Sequence, residues 1–439
     1  MTSQHGLRAI PSEDRAWLLA ALSDALGGGA PILPLPPGAD PDSVDELLAA
    51  SLPSGTAMVI RTSGSSGVPK AVALSASALL ASARFTHEAL GGPGAWLVAL
   101  PSHLISGVQM LVRSAVSGID PVFVDGPFDP AALLDAAERM EGPRRYVSLV
   151  PVQFSRLLDL AERDPDAAEA LQRFDAVLVG GQAVSLELRR RAHDLGVALR
   201  RSYGMTETSG GCVYDGVEIG DTRVRIRSGE VQLAGSTLAL GYVGDPAHTA
   251  ERFIDDADRD GGSTRWYRTG DAGELLGGML TVTGRLDRVL VSGGVNVSLD
   301  QIEAVARQFT GWEDALALAL PHSEWGERPS LVVETRPDAV PFDDVRAAIK
   351  DRLGTAAAPE WATEIEEIPR LPGGKPDLVR VAEWLGRLRA SFREIGAAAG
   401  APTAQAERET RARSEAHAEP ESQVSPSQSA SSQQEEDRA

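Results

Sequence analysis

The stretch Arg61–Val72, RTSGSSGVPKAV, concentrates residues that could do chemistry: three serines, a threonine, two glycines and a lysine between apolar flanks. Glycines free a backbone to approach an anion closely, and hydroxyls, amide N–H groups and an ammonium are what a phosphate needs. Phosphate loops usually follow a strand, and TAMVIRT ahead of this one reads as a strand. The spacing is nonetheless wrong for a Walker loop, because only Ser65 and Ser66 separate Gly64 from Gly67, and Lys70 stands between Pro69 and Ala71. Protein-kinase chemistry fails as well, since neither His-Arg-Asp nor Asp-Phe-Gly follows. On these residues alone, a phosphate cradle and a flexible Gly/Ser turn both stay open.

Four further motifs follow in order: SYGMTETSGG at Ser202–Gly211, YRTGDAG at Tyr267–Gly273, GRLDRVLVSGGVNVSLDQIE at Gly284–Glu303 and LPGGKPD at Leu371–Asp377. Together with the Ser/Gly/Lys loop, and over roughly Val59 to Arg380, they resemble the adenylate-forming superfamily of acyl-CoA synthetases, luciferases and peptide-synthetase adenylation domains. The resemblance implies an enzyme that uses ATP, Mg²⁺ and coenzyme A, in which a carboxylate attacks the α-phosphate to give an acyl-adenylate and pyrophosphate. Such chemistry is mostly positioning and electrostatics.

The resemblance also implies roles. Thr62, Ser63, Gly64, Ser65, Ser66, Gly67 and Lys70 should wrap the β- and γ-phosphates. Thr206 should hydrogen-bond phosphate, and Glu207 should hold Mg²⁺, a hard cation that prefers carboxylate oxygen. Tyr203, followed by Gly204, offers a flat face to adenine, with Gly180, Gly181 and Gln182 as the opposite wall. Asp271 should accept both ribose hydroxyls, and Arg285 adds a cation nearby. Lys375 should bridge carboxylate and phosphate oxygens during adenylation. A rotation of the small domain about Asp287 would then bring Gly293 and Gly294 to the site, where their lack of side chains lets pantetheine pass. Taken singly, each residue has a plainer alternative: Glu207 as a helix-start acid, Tyr203 as core, Asp271 as a turn residue, Arg285 and Asp287 as a surface ion pair, Lys375 as a solvated lysine.

The chain ahead of the phosphate loop is short, which fits the compact o-succinylbenzoate–CoA ligases of menaquinone biosynthesis. LPSHLISGVQMLVRS (Leu100–Ser114), YGMTETSGGCVYDG (Tyr203–Gly216) and SGGVNVSLDQIE resemble the actinobacterial form of that family. An acid of another aryl or acyl type is the alternative. The implied substrate carries two carboxylates on a flat framework, of which the aliphatic one is activated, so the aromatic one needs a cation or several donors deep in the pocket. His103, Ser106, Gln109 and Arg113 are the candidates, with Gly210 and Gly211 giving the ring room. Arg113 could instead face solvent or pair with an acid, and His103 could be a core histidine. The lysine loop departs from many relatives in lacking a Thr, and Pro376 fixes the backbone directly after Lys375.

These residues need a frame. AWLVAL, DPVFVDG, RYVSLVP and DAVLVGG read as short buried strands, alternating with helix-like stretches such as SASALLASARFTHEAL and DPAALLDAAERM that open on Ser or Asp-Pro caps. The alternation predicts an α/β fold: a large N-terminal domain of layered sheets and helices over 1–284 with a largely parallel sheet. From about Ser228, GEVQLAG, TLALGYVG, GELLGG and MLTVTGR predict a small β subdomain within it. A hinge at 285–288 leads to a smaller, mobile α+β domain over 289–392, and 393–439 is too poor in large apolar residues to order itself.

At 439 residues and 43% apolar content the chain has globular composition and room for two or three domains. Its formal charge of −20 argues against nucleic acid as a partner. There is no apolar run long enough for membrane insertion and no apolar leader core, so the expected compartment is the cytoplasm. Cys212 is the single cysteine, which excludes internal disulfides and reads as a small packed residue. The expected partners are a small carboxylic acid, ATP and CoA; a homo-oligomer is compatible with the sequence.

Overall fold

The computed structural model describes residues 6–40, 44–62, 70–257, 262–371 and 373–398. The expected phosphate-loop residues Ser63, Gly64, Ser65, Ser66 and Gly67, and the expected tail beyond Ala398, therefore lie outside the described residues.

Apolar runs form the strands, as their composition demands. In a seven-stranded sheet the order is Val217–Glu218, Gly210–Tyr214, Leu199–Met205, Ala176–Gly180, Arg145–Leu149, Ala95–Val98, Val122–Phe123, and the five strands from Leu199–Met205 onward are parallel. Both faces of its middle are covered. Ala176 and Leu178 belong to a core shared with the helices Arg15–Leu26 and Ile105–Ser117, while Val177 and Val179 belong to a second core under Pro130–Ala137, Pro151–Ala161 and Pro165–Gln172. Burial on two sides is why such strands read as unbroken apolar runs rather than alternating ones. Helix starts follow the cap signals: Ser75 accepts the Ala78 N–H at 3.1 Å ahead of Ala76–Ala89, and Asp129 accepts the Ala132 N–H at 2.8 Å ahead of Pro130–Ala137.

A five-stranded sheet, ordered Arg8–Pro11, Ile32–Leu35, Thr56–Thr62, Lys70–Ser75, Gly241–Tyr242, lies on the other side of the first core. Gly241–Tyr242 corrects the expectation that TLALGYVG is a strand of the small β subdomain. Only two of its residues are extended, and they pair with Lys70–Ser75, where Leu240 and Val243 donate to the Ala73 and Ala71 carbonyls at 2.8 Å each. An open sheet edge offered those donors a partner, and pattern alone does not say which edge a short run will complete. The rest of the expected β subdomain is present as Arg223–Arg227, Glu230–Ala234, Ser263–Leu276 and Phe253–Ala257, with Met279–Arg285 hairpinned onto Ser263–Leu276.

Beyond Arg285 a fourth sheet, ordered Val295–Ser298, Val289–Ser292, Gly326–Glu334, Leu316–His322, with Ala362–Ile365 beside Gly326–Glu334, packs with the helices Leu299–Ala306 and Phe342–Leu353 around its own core of Ile302, Trp312, Leu331, Val345 and Ile349. The chain forms two compact units, residues 1–377 and 378–439. The second holds the helix Leu378–Ala398, which carries regular structure past the expected domain boundary at 392. Among the described residues no helix is long and apolar enough to cross a membrane.

Candidate active site

A β-hairpin and a strand some sixty residues earlier, Leu199–Met205, meet at Asp271. It sits on the long strand Ser263–Leu276, opposite Arg285 in register, and Arg285 Nη1 donates to Asp271 Oδ1 at 3.0 Å. Tyr203, from the strand Leu199–Met205, donates its hydroxyl to Asp271 Oδ2 at 2.6 Å, so its half-buried ring stands beside the carboxylate expected to take ribose. Burial, then Asp271, pushes the Tyr203 hydroxyl well above its ordinary pKa, which keeps it a donor. The turn carrying Asp271 is held from below: Gly270 N–H donates to the buried Glu230 Oε1 at 3.0 Å, and Thr269 Oγ1 accepts the Asp271 N–H at 2.9 Å. Arg285 also grips the expected hinge residue, donating to Asp287 Oδ1 and Oδ2 at 3.0 and 2.9 Å. The hydrogen bond to Asp287, with Asp271, raises its pKa. The Arg285–Asp287 ion pair that residue type alone suggested is thus present, and it is bidentate.

Lys375 reaches the same place. Its loop is closed by Leu371 N–H to Lys375 O and Gly374 N–H to Leu371 O, both 2.8 Å, and Arg370 braces it by donating to Gly374 O at 3.3 Å while paired with Asp314 at 2.9 Å. Gly373 and Gly374 lie against Leu104 and Val150, so the loop is seated on the large domain. A Cβ on Gly181, whose φ is +81°, would come within 3.8 Å of Lys375 Cε, which places Lys375 against the wall expected for adenine. Much of the lysine's length is accessible, yet its ammonium is desolvated, and that burial lowers its pKa; Asp271 and Glu207 pull it up and Arg285 pushes it further down.

Glu207 and Thr206 lie on the short turn Thr206–Thr208 that ends the strand Leu199–Met205, with Thr206 buried. Glu207 Oε1 accepts the Tyr242 hydroxyl at 2.9 Å, and Lys70 Nζ stands 5.6 Å from the centroid of the Tyr242 ring. Thr62 and Lys70 face each other across the ends of their two strands. Among the described residues no group of three or more His, Cys, Asp or Glu could hold a metal ion by itself. A single carboxylate held by Tyr242, on whose ring Lys70 also stands, instead has the chemistry that would suit Mg²⁺, which keeps waters and takes one or two carboxylates plus substrate phosphates. Gln182 is half-buried just beyond Gly181. Gly204 faces Gly211 across the strand pair. Gly293 and Gly294 form the turn between Val289–Ser292 and Val295–Ser298, at φ +57° and +83°; a Cβ on Gly293 would strike the Trp325 ring at 2.6 Å, and one on Gly294 would meet nothing within 4 Å.

The expected acid pocket gathers on the helix Ile105–Ser117. Gln109 and Arg113 are one turn apart on one face. Arg113 is 3% exposed, and among the described residues no carboxylate pairs with it. Its neighbours are the hydroxyls of Ser148 and Tyr214, each at 3.5 Å, and the face of Trp96, 4.6 Å from its guanidinium carbon. Its Nε has no hydrogen-bond partner, and burial lowers its pKa. Burial and then Arg113 hold His87 down at about 4; His87 Nε2 accepts from Trp96 Nε1 at 3.2 Å, as a neutral ring can. The alternatives for Arg113, solvent or an acid partner, are both absent. His103 is buried with Nδ1 unpartnered, and burial lowers its pKa. Ser106 lies half-buried in the first turn of the helix.

Two readings shift. Gln109 commits its amide nitrogen to the Ser209 carbonyl at 2.6 Å, leaving only Oε1 unpartnered. The space beside Gly210 is filled by Gln109, whose Cγ would be 3.0 Å from a Cβ there, and that beside Gly211 by Ser202 and Tyr214. Both glycines therefore serve the packing of neighbouring strands and helix. Tyr242, Glu230, Trp96, Ser148 and Tyr214 went unmarked in the sequence. Ser148 alone carried a signal, as the one small hydroxyl residue inside the apolar run YVSLV. Cys212 is buried, its thiol pushed up to about 12, as expected of a packed residue.

The chain resembles known proteins in sequence and in fold. Residues 22–276 match the family model described as AMP-binding enzyme. A probable 2-succinylbenzoate–CoA ligase of Mycobacterium tuberculosis is 36% identical over 375 residues, covering 82% of this chain and 93% of that one. Among solved structures, o-succinylbenzoate CoA synthetase (MenE) from Bacillus subtilis, in complex with the acyl-adenylate intermediate OSB-AMP, superposes with a TM-score of 0.70 at 20% identity, over 86% of this chain and 87% of that one. Klebsiella oxytoca NpsA in complex with 3-hydroxyanthranilyl-AMSN does so with a TM-score of 0.73, also at 20% identity, over 87% and 89%. The chain shares its fold with these two enzymes, and it belongs to the AMP-binding enzyme family.

Proposed function

We propose that the chain is an ATP-dependent CoA ligase that converts o-succinylbenzoate to o-succinylbenzoyl-CoA through an acyl-adenylate, in menaquinone biosynthesis and in the cytoplasm. The observation that carries the choice of acid is Arg113, a cation buried without a carboxylate among the described residues. Burying an unpaired charge costs several kcal/mol, so such a group is held ready for an anion that arrives with the substrate. The ring carboxylate of o-succinylbenzoate is that anion, with the Ser148 and Tyr214 hydroxyls as further donors and Trp96 as an aromatic wall. The 36% identity to a probable 2-succinylbenzoate–CoA ligase supports the same acid.

In the first half-reaction the aliphatic carboxylate oxygen bonds to the α-phosphorus, the α–β phosphoanhydride bond breaks, and pyrophosphate leaves. Lys375, beside Gly181 and near Asp271, holds the carboxylate and the α-phosphate oxygens together. Lys70 and the loop that starts at Thr62 hold the β- and γ-phosphates. Tyr203, Gly180, Gly181 and Gln182 enclose adenine, and Asp271 takes the ribose hydroxyls. Glu207 and Thr206 face the phosphates, where Mg²⁺ bound by Glu207 would supply charge neutralisation. In the second half-reaction the CoA thiol attacks the acyl carbon and AMP leaves. Rotation about Asp287 takes Lys375 out and brings the Gly293–Gly294 turn in.

Product analysis tests this. With ATP and CoA, o-succinylbenzoate should give its CoA thioester, AMP and pyrophosphate. 4-Oxo-4-phenylbutanoate, which lacks only the ring carboxylate, should be a poor substrate, and 3-hydroxyanthranilate should give no thioester. Equal use of 4-oxo-4-phenylbutanoate, or preference for another acid in a panel, would overturn the assignment.

A further inference from the structure

We propose that Tyr242, which lies outside all five motifs, is a positioning residue that sets the two charged groups of the phosphate site: its hydroxyl orients Glu207 and its ring seats Lys70. The inference rests on the reading of Glu207 as the carboxylate for a divalent cation and of Lys70 as a phosphate ligand.

The backbone brings Tyr242 to both groups at once. It pairs with Val72, two residues along the strand that begins at Lys70, while the nearby Ala239 N–H donates to the Glu207 carbonyl at 2.8 Å. Arg265 fixes the same segment by donating to the Ala239 and Leu240 carbonyls at 2.8 and 2.9 Å. The Tyr242 N–H donates to Thr249 Oγ1 at 2.9 Å, and a Cβ on Gly241, at φ +147°, would run into Thr249 at 2.6 Å, so this approach needs glycine. The ring is pinned by His248, stacked at 4.6 Å between centroids, and by Phe253, edge-on at 5.9 Å.

So fixed, the side chain has one direction in which to act. A carboxylate only accepts, so the Tyr242 hydroxyl must donate to Glu207 Oε1. Its own oxygen is then free to accept from Tyr267 Oη at 3.4 Å, which makes a one-way chain, Tyr267 to Tyr242 to Glu207. Both tyrosines are buried, and a phenol, with an ordinary pKa of about 10, keeps its proton at neutral pH, so the chain holds there. Glu207 is thereby tied by one oxygen, and Oε2 has no hydrogen bond among the described residues. A cation ligand oriented beforehand binds without losing rotamer freedom, which is how outer partners of metal ligands act. Lys70 gains a face at 5.6 Å that attracts its ammonium and limits where it can swing.

The test compares Tyr242→Phe, which keeps the ring and loses the hydroxyl, with Tyr267→Phe and Glu207→Gln. ATP–pyrophosphate exchange is measured against Mg²⁺ concentration, and ATP binding is measured by calorimetry with Mg²⁺ and with EDTA. Tyr242→Phe should raise the half-saturating Mg²⁺ about 10-fold and weaken ATP binding by a similar factor with Mg²⁺ but not in EDTA. Tyr267→Phe should raise it about 2- to 3-fold. CoA thiolysis of supplied acyl-adenylate should stay within about 2-fold of wild type in both. If Glu207→Gln shifts the Mg²⁺ dependence and Tyr242→Phe does not, the proposal is overturned while the reading of Glu207 stands. If Glu207→Gln also leaves it unmoved, that reading falls first. Equal slowing of both half-reactions at unchanged Mg²⁺ half-saturation would show a merely structural tyrosine and would likewise overturn it.

Discussion

Two arginines of this enzyme are compensated in opposite ways. Arg285 is clasped by carboxylates on both sides, Asp271 at 3.0 Å and Asp287 at 2.9 Å, and its pKa is raised. Arg113 is more deeply buried, has hydroxyls and an indole face for company, and its pKa is lowered. The first is part of the architecture: it joins Asp271 to Asp287 and already has its carboxylate partners within the fold. The second carries an uncompensated burial cost, and in the function proposed above an incoming anion relieves it, which would make this cation a selectivity device rather than a strut. Lys375 stands between them, drawn up by Asp271 and Glu207 and down by desolvation and Arg285.

The largest effect should come from the intermediate cation. Lys375→Ala should slow adenylation by about 10²- to 10³-fold, the scale for one lost electrostatic donor, and leave CoA thiolysis of supplied acyl-adenylate unchanged. Because its pKa is lowered, wild-type adenylation should lose activity on the alkaline side at a pH below lysine's ordinary value of 10.5, and Lys375→Arg should remove that limb. An unchanged alkaline limb would put Lys375 outside the reacting centre.

Arg113→Leu comes next. It should cut kcat/KM for o-succinylbenzoate by about 100-fold, matching about 2–3 kcal/mol of lost charge-assisted bonding, while barely affecting 4-oxo-4-phenylbutanoate. Equal losses on both acids would make Arg113 structural and erase the contrast with Arg285.

Stability should separate the two arginines in sign. Arg113→Met, removing an unpaired buried charge, should be neutral or stabilising by about 1–2 kcal/mol, whereas Arg285→Met strands Asp271 and should cost about 1–3 kcal/mol, partial exposure keeping it below a fully buried pair. Urea unfolding of the two variants decides it, and destabilisation by both would refute the distinction.

The smallest effect sharpens the same point. His87 has its pKa held at about 4 against an ordinary 6.5, so the unfolded chain takes up a proton that the fold resists. Its share of stability is whole above pH 6.5 and drains away as pH falls toward 4. The drop in urea midpoint between pH 7.5 and 5 should shrink in His87→Gln, and also in Arg113→Met, which removes the second cause of the shift.

What could be read early divides by the range of the forces involved. The α/β alternation, the caps at Ser75 and Asp129 and the β-rich stretch after Ser228 are set by near neighbours, and they appear in the structure close to where residue type puts them. The candidate residues at the nucleotide end were legible because their motifs have fixed order and type. What escaped was partnership. Nothing in ALGYVG tells that Tyr242 leaves the β subdomain, completes a distant sheet edge and donates to Glu207. Gln109 shares a helix face with Arg113, but its amide goes to a backbone carbonyl one hundred residues away.

By itself, then, the sequence determined the local elements, the five motifs and hence the chemistry of adenylate formation, because backbone propensity and residue type act over a few positions. Only the tertiary structure decided which charges are paired. It put two carboxylates around Arg285, none among the described residues beside Arg113, and both Asp271 and Glu207 in the field of Lys375. Coulombic and desolvation energies depend on distance and burial in three dimensions, and a chain of 439 residues carries neither until it folds.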